Sequence, residues 1–442
     1  MKSRVVKKVL STVLVSTMLL SLMGCAGGTS SSGTGESSSD GNITIRVASR
    51  YSTDIPDDVF YRQKVQEFNE MDNGIIVESD DIVTESDYLD KLRTSFANGD
   101  TPNAFIEFGG SRVLDYVETD VLVDMQPYFD EDSAWYDSFY ESMFDQLRYP
   151  DYEGQVWGVP FKSYVVSLYY NKEIFEEQNL EVPTTWDELL EVSEKLTEAG
   201  IRPFQMGAKD AWRGGHFHNN LVIKSLGAEA VDKLADRTLA YDSPEMIATY
   251  QKFLDLNEKG YLGNDILNTD YAIEKETYAA GGCAMRWDGS WYVSEIHGTD
   301  IYDKTGVAAF PAIDEKFASE AQGGGSDMWY VSKLGKSDEE IEATIEFLKF
   351  ITSQEYFALN NEVASAVYPV KFEATANTPE NPLLDEVNAL LASYTTLRAD
   401  IQNYDSESHM LDTVRNAIQG LAMGNSAEQC GREIVERMED GN

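Results

Sequence analysis

An α/β protein of two lobes is predicted from three observations. From Asn42 onward, short apolar strands alternate with amphipathic helices. The chain is long enough for two domains of ordinary size, and 42% hydrophobic with 11% aromatic residues can fill both cores. No Gly/Ser-rich linker interrupts it after Gly41, so the lobes must be interleaved or tightly joined rather than strung in series.

The first strand has Ile43, Ile45 and Val47 on one face, and Val59, Phe60, Val65 and Phe68 follow at helical spacing until Asn73-Gly74 stops them. Residues 75–77 make the next strand. Ser86 is expected to cap a second helix carrying Tyr88, Leu92 and Phe96, ended by Gly99 and Pro102. Residues 103–108 form a third strand that runs into Gly109-Gly110-Ser111. Such a β–α–β–α–β order favours a sheet with helices on both faces, whose ligands bind beyond the carboxyl ends of the strands. A second set of elements begins near Gly154, with a strongly apolar strand at 164–170. Pro183, then Thr185 with Glu188, announce a capped helix bearing Leu189, Leu190, Ser193 and Leu196, closed by Gly200. Ser337 with Glu340 repeats the device ahead of Ile341, Ile345, Leu348 and Ile351.

At the amino terminus Lys2, Arg4, Lys7 and Lys8 precede an uncharged run, residues 9–22, which reads as a cleavable signal peptide over residues 1–24. The run is short for a span, which needs about 20 apolar residues. It closes on Leu22-Met23-Gly24-Cys25, which resembles the bacterial lipobox. That resemblance implies a diacylated Cys25 as the first mature residue, anchored to the outer face of the cell membrane; the alternative is an ordinary signal peptide with a chance cysteine. The rest of the segment 25–41 is Ser, Gly and Thr with a few acids, a flexible tether. Cys283 and Cys430 remain, to pair or to sit apart as small buried hydrophobes. A formal charge of −42 excludes a nucleic-acid surface, which phosphates require to be rich in Lys and Arg.

Four segments in order carry a resemblance. They are Glu153-Gly154-Gln155-Val156-Trp157-Gly158-Val159-Pro160; Leu168-Tyr169-Tyr170-Asn171-Lys172-Glu173-Ile174-Phe175; Val182-Pro183-Thr184-Thr185-Trp186-Asp187-Glu188-Leu189; and Gly281-Gly282-Cys283-Ala284-Met285-Arg286-Trp287-Asp288-Gly289-Ser290-Trp291. A glycine-rich strand entry, Gly323-Gly324-Gly325-Ser326, follows. The set resembles the family 1 extracellular solute-binding proteins over the whole mature body. The resemblance implies a periplasmic-binding-protein-like fold, two interleaved lobes closing about a hinge on a ligand. Lobe 1 would take residues 42–150 plus 334–365, and lobe 2 residues 151–333 plus 366–442. It further implies a monomeric sugar-binding component of an ABC importer, whose partners are the carbohydrate, the permease subunits and, through its anchor, the membrane, with no enzyme activity, cofactor or metal.

A neutral sugar presents weakly apolar C–H faces and a rim of hydroxyls, and each hydroxyl left unpaired in a closed cleft costs ~1–3 kcal/mol. Rings stack on the faces; Asp, Asn, Arg and backbone N–H groups pair the hydroxyls. The turn Trp287-Asp288-Gly289-Ser290-Trp291 holds that inventory and is the first candidate, with Trp packing and an Asp288 helix cap as the plain alternative. A loop over 212–218 offers Trp212, Arg213 and His216, with ordinary surface as its alternative; two His one residue apart, without a carboxylate-rich partner motif, are not read as a metal site. The first strand end supplies Arg50 and Asp54, the third Phe108, Gly109 and Ser111. Tyr164, Trp329 and Tyr368 join them with core packing as rival, and Gly323, Gly324 and Gly325 would let the backbone approach a ligand, with a flexible loop as the alternative. A lipid-anchored glycoside hydrolase would need two placed carboxylates, and among 77 Asp and Glu a chance pair means little. No nucleophile elbow, HExxH or phosphate loop occurs. A peptide, polyamine or anion on the same fold is the remaining rival.

Overall fold

The structure, a computed structural model, describes residues 41–82, 84–405, 407 and 409–440. The expected signal peptide, Cys25 and all but the last residue of the tether lie outside it. Within the described residues no helix is long and apolar enough to cross a membrane.

In chain order the strands are β1 (Ile43–Ser49), β2 (Ile75–Asp81), β3 (Ala104–Glu107), β4 (Val159–Pro160), β5 (Ser163–Asn171), β6 (Met285–Gly289), β7 (Thr305–Ala308), β8 (Glu320–Gly325), β9 (Met328–Val331) and β10 (Thr396–Arg398). The first sheet runs β2-β1-β3-β9-β4. In it β1 lies parallel to β2 and β3, while β9 is antiparallel to β3 and β4. Helices Pro56–Asn69 and Glu85–Asn98 connect the parallel strands, as the alternation predicts. The second helix starts from Thr84, not Ser86: the Thr84 hydroxyl accepts the Asp87 N–H. Both predicted capping boxes form, Thr185 with Glu188 and Ser337 with Glu340, because each side chain satisfies the other's backbone donor.

The second sheet runs β10-β8-β5-β6, with β7 also on β5, along its later half. Alternation along β5 sends its side chains into two cores. Leu168 joins Met285, Trp287 and Phe217 in one; Val165 and Tyr169 join Tyr278, Tyr292 and Val387 in the other. A sheet buried on both faces has to be apolar on both, which accounts for the near-continuous hydrophobic run at 164–170.

The chain passes from the first sheet to the second between β4 and β5, and returns between β8 and β9. These crossings lie side by side, with Pro160 opposite Met328 and Ser163 opposite Gly325. Phe161 and Lys162 N–H both donate to the Asp327 carbonyl at 2.9 Å, and Ser326 N–H to the Lys162 carbonyl at 2.9 Å. A further crossing follows Val370, since Tyr368 and Val370 pack in the first core whereas Leu383, Leu384 and Val387 pack in the third.

The lobe division is thereby corrected. Residues 151–333 do not all belong to lobe 2: Val159, Phe161 and residues 328–331 are buried in the first core, where β4 and β9 supply its antiparallel edge. Residues 212–218 are not a loop but the first half of helix Ala211–Leu226, whose glycines are accommodated by close packing against neighbours. Cys283 and Cys430 are free and buried in different cores, so they do not pair.

Candidate ligand cleft between the lobes

Strand ends and helices converge on a cavity of ≈ 240 Å³. Phe108 reaches it from the end of β3 and Arg112 from helix Ser111–Glu118, Tyr164, Gly325 and Ser326 from the hinge, and Trp291 from the end of β6. Trp212 and His216 come from one face of helix Ala211–Leu226, four residues apart and hence stacked along the axis. Asp400 and Asn403 follow β10, and Arg415 stands on helix Met410–Ala422.

The rings form one wall. Tyr164 lies 5.7 Å from Trp291 and 6.3 Å from His216, centroid to centroid, and Trp212 lies 5.1 Å from His216 and 6.5 Å from Trp291. Across the cleft Phe108 is flanked by two guanidinium groups, Arg50 at 4.3 Å and Arg112 at 4.7 Å from its centroid. Burial pushes the Tyr164 hydroxyl pKa well above the ordinary value, with nearby Asp400 adding to it, so the phenol is neutral.

Asp400 is the polar hub. It accepts from Asn219 at 2.9 Å, Gln322 at 2.7 Å and Arg415 at 2.7 Å, with His216 Nε2 at 3.3 Å. Burial alone would raise its pKa, but the facing His216 and Arg415 hold it well below the carboxylate range.

Trp291 is aimed by a chain of buried groups. Its Nε1–H donates to Tyr271 Oη at 2.8 Å, and Tyr271 donates to Asp288 at 3.0 Å. Asp288 is paired in turn with Arg286 and, at 3.4 Å, Arg213. Glu274 completes a quartet of two cations and two anions, accepting from Arg213 at 2.5 and 2.9 Å. Burial opposes the charge on Asp288, but the two arginines outweigh it and lower its pKa. A β-carbon on Gly289 would lie 2.0 Å from the Trp291 ring, so only glycine lets the indole fold back over the strand end.

Of the residues singled out in the sequence, Phe108, Tyr164, Trp212, His216 and Trp291 line this cavity. Others are displaced from it. Trp287 alternates inward from β6 and packs 4.3 Å from Phe217; Trp329 sits in the first core beside Tyr61. Arg213 and Asp288 are wholly buried in the quartet and cannot meet a ligand's hydroxyls. Arg50 is held by Asp327, and Asp54 is exposed beyond the cleft. Gly323 and Gly324 are paired within β8 to Val165 and Tyr164. Gly109 packs on Gln146, and Ser111 Oγ donates to the Gln402 carbonyl at 2.9 Å, a contact between lobes rather than a cleft wall. Tyr368 packs on Phe357 and borders a second, larger cavity of ≈ 600 Å³. That cavity is walled mainly by residues 361–397 and has no Lys, Arg or His among the described residues lining it. The smaller one is the better candidate, because rings and hydrogen-bonding groups from both lobes converge there at strand ends.

Gly325, the last of the glycines at 323–325, does line the cavity, whereas Arg112, Ser326, Asp400, Asn403 and Arg415 have no forerunner among the sequence candidates. The density of polar residues after the short strand, Arg398-Ala399-Asp400-Ile401-Gln402-Asn403, is the signal that marks the Asp400 segment. His218, the other histidine of its pair, is buried against Tyr250, with its pKa pushed down to about 4 by desolvation. No group of three or more His, Cys, Asp or Glu that could hold a metal occurs among the described residues.

Residues 52–356 match the family model described as bacterial extracellular solute-binding protein. A multiple sugar-binding protein of Streptococcus mutans is 26% identical over 238 residues, 52% of this chain and 55% of that protein. The sn-glycerol-3-phosphate-binding periplasmic protein of Rhizobium meliloti is 25% identical over 242 residues, 52% and 53% of the two chains. The chain therefore matches about half the length of each of these relatives. A solved chitin oligosaccharide binding protein shares the fold at a TM-score of 0.79 and 23% identity, over 90% of this chain and 98% of that one. Its relatives are named for binding and not for catalysis. With the matched segment spanning both lobes and two of the hinge crossings, the chain belongs to the bacterial extracellular solute-binding protein family.

Proposed function

We propose that this protein captures a sugar or short oligosaccharide between its lobes and delivers it to the membrane permease of an ABC importer, tethered to the outer face of the membrane through Cys25. The observation that carries the proposal is the pairing, in one cavity, of an aromatic wall with a buried carboxylate hub. The wall suits the C–H faces of a pyranose, and Asp400, Asn403 and Arg415 suit its hydroxyls. The two relatives named above for a sugar and for a glycerol phosphate support a small, hydroxyl-bearing solute. A ligand that touches Phe108 on one lobe and Trp291 on the other gains contacts only when the lobes are closed, so binding shifts the population toward the closed form, the form a permease would recognise. Calorimetric titration of residues 41–442 with neutral mono- and oligosaccharides, polyamines and short peptides tests this. One-to-one binding of a sugar, lost in Trp291→Ala, is expected. Binding of a peptide or polyamine alone would refute it, and product formation in the sugar samples would point to an enzyme.

A further inference from the structure

We infer that Asp400 sets the charge of the ligand: it confines the cleft to uncharged sugars, and its replacement by asparagine turns the same cleft toward anions. This rests on the sugar-binding proposal above.

Three guanidinium groups stand at or beside the cleft, an inventory that by itself would suit a phosphate or a uronic carboxylate. Each is matched by its own carboxylate. Arg50 is held by Asp327, Arg112 by Glu107 at 3.0 Å, and Arg415 by Asp400 at 2.7 Å. Asp327 and Glu107 are not among the residues lining the cavity; Asp400 alone of the three lines it.

The lone pairs of Asp400 define what it can still accept. Oδ1 faces Asn219, Gln322 and His216, whereas Oδ2 faces Arg415. An ionised carboxylate has about four acceptor sites, so Oδ2 retains one. A sugar hydroxyl can donate to it. A phosphate or carboxylate oxygen has no proton to give and would set like charges against each other in a partly desolvated cleft. The field of a chain with formal charge −42 works in the same direction.

Asparagine at position 400 reverses this. Its carbonyl can take over the donors at Oδ1, and its amide then faces Arg415 donor to donor. Arg415 is released toward the cavity it already lines, and the cleft gains one positive charge.

The test is calorimetry on residues 41–442 as wild type, Asp400→Asn, Arg415→Gln and the double variant. The probes are neutral mono- and disaccharides, glucose 6-phosphate, galacturonate, glycerol 3-phosphate and inorganic phosphate. Wild type is expected to bind a neutral sugar at least about tenfold tighter than any anionic probe. Asp400→Asn should shift that ratio toward anions by about tenfold or more, and the double variant should lose the gain. Equal or tighter binding of an anion by wild type overturns the inference and leaves a small-solute binder standing. Equal weakening of both probe classes in Asp400→Asn also overturns it. Should that variant fail to fold, wild type and Arg415→Gln decide, the latter expected to discriminate against anions still more strongly. If wild type binds no sugar, neutral or anionic, both the inference and the function beneath it fall.

Discussion

Removing the Asp288 carboxylate strikes the support of the cleft without touching its surface. Asp288 is fully buried, pairs with Arg286 and Arg213, and accepts from Tyr271 at 3.0 Å and the Gly289 N–H at 2.9 Å. Asp288→Ala leaves two buried guanidinium groups facing Glu274 alone. Breaking one partner from a buried set of this kind costs about 3–5 kcal/mol, because the remaining charge keeps its desolvation penalty and loses its compensation. The pH dependence follows from the sign of the shift. A carboxylate whose folded pKa is depressed contributes stability that is present above its ordinary value, about 3.9, and lost as pH falls through the folded value. The difference between wild type and variant should therefore stay constant from pH 8 to pH 5 and shrink only under stronger acid. Urea denaturation at several pH values measures it, with ligand titration alongside to report the loosening of Trp291. A loss below about 1 kcal/mol at pH 7, or one that varies between pH 5 and 8, would refute the assignment of Asp288 as an ionised, charge-bearing member of the quartet.

Three further expectations follow from particular contacts. A β-carbon on Gly110, at φ +59°, would lie 1.9 Å from the Asn403 carbonyl oxygen. Gly110→Ala should thus force the lobes apart and break the Ser111–Gln402 and Asn403–Gln146 hydrogen bonds; at about 1 kcal/mol each, ligand affinity falls about thirtyfold, with a larger radius of gyration in solution scattering. Tyr271→Phe removes the hydroxyl between Trp291 and Asp288 and should cost about 1–2 kcal/mol of stability, with a change in tryptophan fluorescence. His218, with its pKa pushed down to about 4, is neutral in the folded protein, and the unfolded chain takes up its proton first as pH falls below about 6.5. Wild type should therefore lose about 2 kcal/mol relative to His218→Phe between pH 7 and pH 5 in urea midpoints, and parallel behaviour of the two proteins would sink that account.

The elements were far more legible in the sequence than their partners. Alternation gave the β–α order, and both capping boxes form because their chemistry is local. Where glycines interrupt a helical pattern, local cues failed: Gly214 and Gly215 sit inside a helix, with Gly215 close against the Arg415 stem. Trp287 and Trp291 are indistinguishable by composition and separated by geometry, one on the inward phase of β6, the other past its end. Tertiary topology alone brings Asp400 and Arg415 to residues that lie before position 300 in the chain, so no spacing rule could find them. The lobe boundary was misplaced for a related reason. A strand as short as β4 or β9 carries no signature of which sheet it will complete.

The paired crossings at Pro160–Met328 and Ser163–Gly325 act as a strap two strands wide. A single strand would let the lobes swivel as well as open. Two strands tied together by the Asp327 and Lys162 carbonyls resist torsion and sliding, and bend most easily about one axis. Any opening of the lobes would then turn on the backbone at 161–162 and 326–327, where a small change in angle is carried outward to the rim of each lobe. On the proposed function, a solute bridging the lobes would then shift their relation about one axis, a directed change of outline rather than a diffuse one.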